Sequence, residues 1–499
     1  MANINISNLT FAYDGSYDNV FENVSFQIDT EWKLGFIGRN GRGKTTFLRL
    51  LMGMHEYSGT ISSSVSFDYF PFETADKTQL TLDIIESVTP DVQRWQINRE
   101  LSLLEVDESV LYRPFETLSN GEQAKVLLAG LFLKENNFLL IDEPTNHLDI
   151  SARAVICEYL KPKKGFILVS HDRNILDNCI DHVLSINKAN IEVQRGNFSS
   201  WLVNKERRDG FELAENERLQ KDIKKLNEAA KRTADWSDKA EKNKIGFDPK
   251  KTEKSMGRRA YQGSKSAKMM KRSKCIETRQ QAAIEEKSGL LKNIESADSL
   301  KLTPLSHHAG RLIMLENVSI SYGGNEVCNN ISFTAERGER IALSGRNGCG
   351  KSSILKLICG TGVLPEAEVC GNIYVASGLK ISYVAQDTSF LGGDLSDYAR
   401  EHGIDESLFK AILRKLDFSR TQFGKNIADF SAGQKKKVLI AQSLCEKAHL
   451  YIWDEPLNFI DVLSRMQIEE LLLEYRPAMI FVEHDSVFAD KIATKIITL

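Results

Sequence analysis

Short apolar runs with polar ends recur along the chain in two matching sets. In the first set ISNLTF, VSFQI and WKLGFIG are strand-like, and the last runs straight into a glycine-rich stretch and a helix expected to begin near Lys44. NFLLIDEP and GFILVSHD follow with the continuous apolar character of buried parallel strands. In the second set IMLENVSISY, RIALSG, HLYIWDEP and MIFVEHD fill the same slots. Between the sets, strand patterning stops. Leu219, Ile223, Leu226 and Ala230 fall at helical spacing, and Met269, Ile276, Ala283, Leu290 and Ile294 share one face in steps near seven. The stretch KIGFDPKKTEKSMGRRAYQG, with Gly246, Pro249, Gly257 and Gly263, has no helical period. The pattern predicts an α/β module over 1–199, a helical-hairpin linker over 200–305 with its tip at about 245–264, and a second α/β module over 306–499. A flexible linker is the alternative, but Gly and Ser are too sparse outside the tip to favour it.

Charge changes the picture only when it is divided. The chain of 499 residues has a net charge of −3, yet Lys205–Lys301 holds 26 Lys and Arg against 17 Asp and Glu. Within Lys239–Arg279 the count is 14 basic to 4 acidic, a density that suits a polyanion partner as well as a solvated helix face. No apolar run approaches the roughly 18–20 residues needed to span a bilayer, and no secretory signal is visible. The 8 cysteines form no CxxC pair, which suits incidental thiols in a reducing cytosol.

The chemistry is carried by four ordered motifs that occur twice. GRNGRGKT (Gly38–Thr45) and GRNGCGKS (Gly345–Ser352) are phosphate-binding loops, which turn successive backbone N–H groups toward a phosphate at a helix N-terminus. From loop lysine to the serine of LSNGEQ or FSAGQK is 75 residues in one half and 80 in the other. From that serine to an acidic pair's glutamate is 24 in both, and from glutamate to a lone histidine 28 and 29. Such spacing marks a tandem duplication of a nucleotide-hydrolysing module. Lys44 and Lys351 are expected to neutralise the β/γ-phosphates, and Thr45 and Ser352 to place a hydroxyl on Mg²⁺. Asp142 and Asp454 are the expected carboxylates for that ion. Glu143 and Glu455 are expected to polarise the attacking water, and His171 and His484 to contact the γ-phosphate and orient it.

The combination of phosphate loop, LSNGEQ (Leu118–Gln123), DEPTNHLD (Asp142–Asp149) and SHD (Ser170–Asp172) resembles the ATP-binding cassette superfamily, as do FSAGQK, DEPLNFID and EHD in the second half. The resemblance implies two cassettes closing head to tail around two ATP molecules. Ser431, Gly433 and Gln434 would then complete the site of Lys44, and Ser119, Gly121 and Glu122 that of Lys351. The remaining loop residues, Arg39, Asn40, Gly41, Arg42, Gly43 and Thr46 in one half and Arg346, Asn347, Gly348, Cys349, Gly350 and Ser353 in the other, would line the nucleotides. Tyr13 and Tyr322 suit the family's adenine-stacking aromatic, although an aromatic at a strand end also serves as core. Gln386 in SYVAQD matches the metal-contacting glutamine, whereas DYFPFE puts Phe72 at that point of the first half. The second signature has Ala432 and Gln434 where Gly and Glu are usual, so the two sites are expected to be unequal.

Two cassettes, no membrane domain and a basic hairpin between them resemble the ABC-F subfamily of ribosome-associated ATPases, and YFPFE, SAKMMKRSK and FVEHD look most like its Lsa-type antibiotic-resistance proteins. This likeness implies a cytoplasmic monomer with intramolecular cassette pairing that binds the bacterial 70S ribosome at the E site, touching 23S rRNA and P-site tRNA. Membrane and DNA are not expected partners. It further implies protection of the peptidyl-transferase centre against lincosamides, streptogramin A and pleuromutilins through the linker tip, with Met256, Arg258, Arg259, Tyr261, Lys265 and Lys268 as the effector residues. Tyr261 stacks on a base or simply caps the loop. A housekeeping translation factor, a transporter ATPase subunit and a chromosome ATPase are the alternatives.

Overall fold

The computed structural model describes residues 3–13, 19–72, 74, 76–134, 136–146, 148–187, 190–242, 271, 278–279, 301–360 and 367–499. Met1–Trp201 and Ala297–Leu499 form one compact unit and Leu202–Ser296 a second.

The first unit is α/β and contains the same plan twice. In the first half, β1 (Asn3–Phe11), β2 (Phe21–Asp29) and β4 (Ser58–Ser62) make an antiparallel sheet in the order β2-β1-β4. A six-stranded sheet runs β5-β6-β7-β3-β8-β9, with β3 at Lys33–Ile37, β5 at Ser66–Phe70, β6 at Asn137–Asp142, β7 at Phe166–Val169, β8 at His182–Asn187 and β9 at Asn190–Arg195. Its strands are parallel except β9. The second half repeats both sheets. β10 (Arg311–Tyr322), β11 (Asn325–Glu336) and β13 (Ala367–Val375) are antiparallel. β12 (Arg340–Ser344), β14 (Ile381–Val384), β15 (Leu450–Asp454), β16 (Met479–Val482) and β17 (Lys495–Thr498) form the parallel sheet β14-β15-β16-β12-β17.

The apolar runs seen in the sequence are the central strands, and burial on both faces is why they lack alternation. Phe166–Val169 and Met479–Val482 are buried at every position. In the first half Leu34, Phe36, Phe47, Leu140 and Ile167 pack into one core; Ile341, Leu343, Ile354, Ile452 and Ile480 do the same in the second. This arrangement brings the C-terminal ends of β3 and β6, with β7 between them, and of β12 and β15, with β16 between them, to one edge of each sheet, where open α/β sheets bind ligands.

In the second unit the described residues belong to helix. Phe198–Lys242 is one helix of 45 residues, about 68 Å long at about 1.5 Å per residue. The expected tip over 245–264, with Met256, Arg258, Arg259, Tyr261, Lys265 and Lys268, lies outside the described residues. Among the described residues no helix is long and apolar enough to cross a membrane.

Candidate active sites

Each phosphate loop leaves the end of a buried strand and turns into a helix at its lysine. Gly43 and Gly350 cap these helices at φ 93° and 86°, a left-handed conformation that glycine adopts without a Cβ penalty. A Cβ on Gly43 would also come within 2.5 Å of Val20, so both backbone and packing demand the glycine. Lys44 Nζ donates to the carbonyls of Gly38 (2.7 Å) and Arg39 (3.3 Å) and to Asn40 Oδ1. Lys351 Nζ donates to the carbonyls of Gly345 (2.9 Å) and Arg346 (2.8 Å). Both ammonium groups are thus folded across their own loops, over the space a phosphate takes.

The acidic pairs lie at the ends of β6 and β15, against the hydroxyls predicted to accompany them. Thr45 Oγ1 donates to Asp142 Oδ2 at 2.9 Å, and Ser352 Oγ to Asp454 Oδ1 at 3.1 Å. Asp454 Oδ2 is buried without a hydrogen-bond partner, and burial pushes this carboxyl up to about 6 despite the Ser352 bond. A hydroxyl beside an unpartnered buried carboxylate oxygen is a hard oxygen set that fits Mg²⁺. Tyr69 donates to Asp142 Oδ2 at 2.8 Å in the first half, an arrangement the sequence did not signal.

Glu143 and Glu455 both adopt positive φ, 53° and 47°, which turns their side chains out of the strand line. His484 Nε2 lies 3.2 Å from Glu455 Oε1, and Gln386 (2.9 Å) and Asn458 (2.6 Å) donate to Oε2. Burial alone would raise Glu455; His484 first, then the Gln386 bond and the Lys436 charge, hold it at about 2. Gln386 therefore points at the glutamate rather than at Ser352 or Asp454. In the first half His171 Nε2 lies 3.2 Å from Glu143 Oε1 without hydrogen-bond alignment. Burial and the adjacent Asp142 raise Glu143 to about 8. Burial, then the nearby Lys44 and Arg465, depresses His171 well below the usual imidazole range. The two base positions thus differ in their donors and in the direction in which their carboxyls are shifted.

Signature residues cap helices. Ser119 and Ser431 head Asn120–Phe132 and Ala432–Cys445 with reciprocal capping boxes. Glu122 and Gln434 bond back to the Ser119 and Ser431 N–H groups at 2.8 and 3.0 Å, so their side chains serve the cap. Asn120 lines a cleft of about 530 Å³ together with Tyr322, Lys351, Ser352, Gln386, Glu455 and His484, bringing the first signature to the second loop. Conversely, a Cβ on Gly433 would lie 3.1 Å from Asn40 Nδ2, and that amide donates to the carbonyl of Phe459 at 2.6 Å. Each loop thus faces the other half's signature. Tyr13 and Tyr322 hydrogen-bond Thr46 and Ser353 at 2.6 and 3.0 Å, which anchors both rings beside their loops.

Several contacts across the interface went unread in the sequence. Arg42 pairs with Asp417 of the other half at 3.1 Å, with Arg39 3.9 Å from the same oxygen. Arg465 donates to the carbonyl of His171 at 2.9 Å, and Arg173 reaches Glu469 and Asp485. These pairs link positions from 294 to at least 375 residues apart, and single charged residues carry no pattern that announces such partners.

The profile of the family described as ABC transporter matches residues 21–146 and 328–458. The ribosome protection protein VmlR of Bacillus subtilis is 28% identical over 96% of this chain and 84% of its own length. The energy-dependent translational throttle protein EttA of Haemophilus influenzae is 25% identical, covering 96% and 89%. Among solved structures, the archaeal ribosome recycling factor aABCE1 in complex with stalk protein aP1 superposes with a TM-score of 0.62 at 18% identity, over 98% of this chain and 87% of that one. With its ATP-binding domain present twice and the loop of each copy facing the signature of the other, the chain belongs to the ABC transporter family and is an ATPase.

Proposed function

We propose that this ATPase is of the ABC-F type and protects the bacterial ribosome against drugs of the peptidyl-transferase centre. The observation that carries the reading is the likeness to a ribosome protection protein along 96% of the chain, linker included. The density of Lys and Arg over 239–279 supports it, because phosphate-rich RNA is the partner such a cluster serves. In this reading the domains are 1–199, 200–305 and 306–499, and the protein is a cytoplasmic monomer.

ATP bound at Lys44 and Lys351 joins each loop to the opposite signature, so closure of the two halves depends on nucleotide. Thr45 with Asp142 and Ser352 with Asp454 would hold Mg²⁺, which would supply charge neutralisation to the bound triphosphate. Glu455, fixed by Gln386, Asn458 and His484, accepts a proton from the attacking water, and Glu143 does so in the other site. Hydrolysis to ADP and inorganic phosphate removes the bridge and lets the halves part. Closed, the protein occupies the E site, and its linker tip displaces lincosamides, streptogramin A or pleuromutilins by acting on P-site tRNA and 23S rRNA.

A Glu143→Gln/Glu455→Gln variant with ATP should co-sediment stably with 70S ribosomes, and the wild-type chain should raise the drug resistance of a sensitive bacterium. Capture on ribosomes without any change in susceptibility would favour a housekeeping translation factor, the reading that the likeness to EttA supports. Binding to DNA or membranes but not ribosomes would defeat both.

A further inference from the structure

Lys436 is a buried cation with no equivalent in the first half. It stands five residues after Ser431, the position Ala124 holds after Ser119, and it is 2% exposed. Its Nζ donates to the carbonyl of Ala385 at 2.9 Å and reaches the carbonyl of Asp454 at 3.4 Å. Ala385 immediately precedes Gln386, and Asp454 immediately precedes Glu455. One ammonium therefore ties together the two peptide units that aim the Gln386 amide at the Glu455 carboxylate. A buried ammonium needs anionic company. Burial holds its proton affinity below the usual lysine range, and four carboxylates oppose that effect, Glu483 foremost, then Asp454, Glu455 and Asp387. Glu483 is itself buried and accepts from the backbone N–H of Leu457 at 2.7 Å.

The duplicate offers a comparison within one molecule. Where the second half has Lys436, Gln386 and Glu483, the first has Ala124, Phe72 and Ser170. All three members of the polar set are missing together. Phe72 lines a cleft of about 730 Å³ with Arg49 and Tyr69, and among the described residues no side-chain amide donates to Glu143, whereas Gln386 and Asn458 both donate to Glu455.

We infer that Lys436 is a positioning residue for ATP hydrolysis, holding Gln386 against Glu455, and that it makes the site of Lys351 the faster of the two. At that site the water oxygen bonds to the γ-phosphorus as the bridging P–O bond to the β-phosphate breaks. One water proton passes to Glu455, and ADP and inorganic phosphate result. The Glu143 site carries out the same reaction with a base held by fewer contacts, so it retains ATP for longer.

The isolated full-length chain decides this, independently of any ribosome reading. Phosphate release from prebound ATP in a single turnover should be at least tenfold faster in Glu143→Gln than in Glu455→Gln. Lys436→Met in the Glu143→Gln background should cut that rate about tenfold while leaving affinity for a fluorescent ATP analogue unchanged, and Lys436→Arg should restore most of it. In nucleotide-free protein with EDTA, amide exchange over 382–390 should quicken in Lys436→Met and not in Lys436→Arg. Equal or reversed rates in the two glutamine variants, or unaltered exchange and turnover in Lys436→Met, would overturn the inference. Should Lys436→Met not fold, Phe72→Gln/Ala124→Lys/Ser170→Glu in the Glu455→Gln background decides: a rise of about fivefold or more upholds the assignment, and no rise refutes it.

Discussion

Arg173 of the first half meets Glu469 of the second in a two-pronged contact, Nη1 donating to Oε2 at 3.0 Å while Nη2 faces Oε1. Both are at most 4% exposed. Asp485 and Arg465 extend the pair into a buried cluster across the interface. Breaking a buried pair leaves a desolvated charge, which costs about 3–5 kcal/mol, whereas replacing both partners with apolar groups is close to neutral. Glu469→Leu should therefore lower stability by about 3 kcal/mol in urea unfolding, and Arg173→Met/Glu469→Leu should recover most of the loss. A double variant as weak as the sum of the singles would show that the pair is not coupled.

Acidity should act on Asp454 in a defined direction. Its folded value of about 6 exceeds the ordinary 3.8, chiefly through burial, so the fold favours the neutral carboxyl. The resulting stability is complete below about pH 3.8 and lost as pH rises through about 6. At pH 7.5 without nucleotide or Mg²⁺, Asp454→Asn should be more stable than wild type by about 1–3 kcal/mol. The gain should shrink toward zero near pH 4, as thermal melting in EDTA would record.

Arg42 was expected to line the nucleotide, yet its guanidinium is occupied by Asp417 at 3.1 Å and remains partly exposed. Pairs of this kind contribute about 0.2–1 kcal/mol. Arg42→Cys, which copies Cys349 of the second loop, should weaken ATP binding by less than about fivefold in a fluorescence titration. A loss beyond tenfold would return the residue to the nucleotide.

Replacing Met256–Tyr261 should abolish drug resistance while ATPase activity and ribosome co-sedimentation stay within about twofold of wild type. Unchanged susceptibility across that segment would remove the tip from the mechanism.

Most of the nucleotide chemistry was legible because it depends on residues at short, fixed spacing. Thr45 and Ser352 directly follow their lysines, and Asp142 and Asp454 end apolar runs that can only be buried strands. The unequal environments of Glu143 and Glu455 were half visible, through Phe72 opposite Gln386. Lys436 was not. In the run KKK a lysine reads as solvated surface, and only helix geometry sends Lys436 and Lys437 inward while Lys435 stays at the rim. Arg173 and Glu469 were silent for a related reason: the contact arises from how two modules dock, and nothing local to either residue encodes it.

Phe72 standing where its twin module has Gln386 has an evolutionary corollary. Had the two lobes been separate copies of one gene product, any replacement would strike both catalytic centres at once and be tested at double dose. Fused in one reading frame, each centre can mutate alone, so one half can specialise in holding its nucleotide while the other keeps the pace of the cycle.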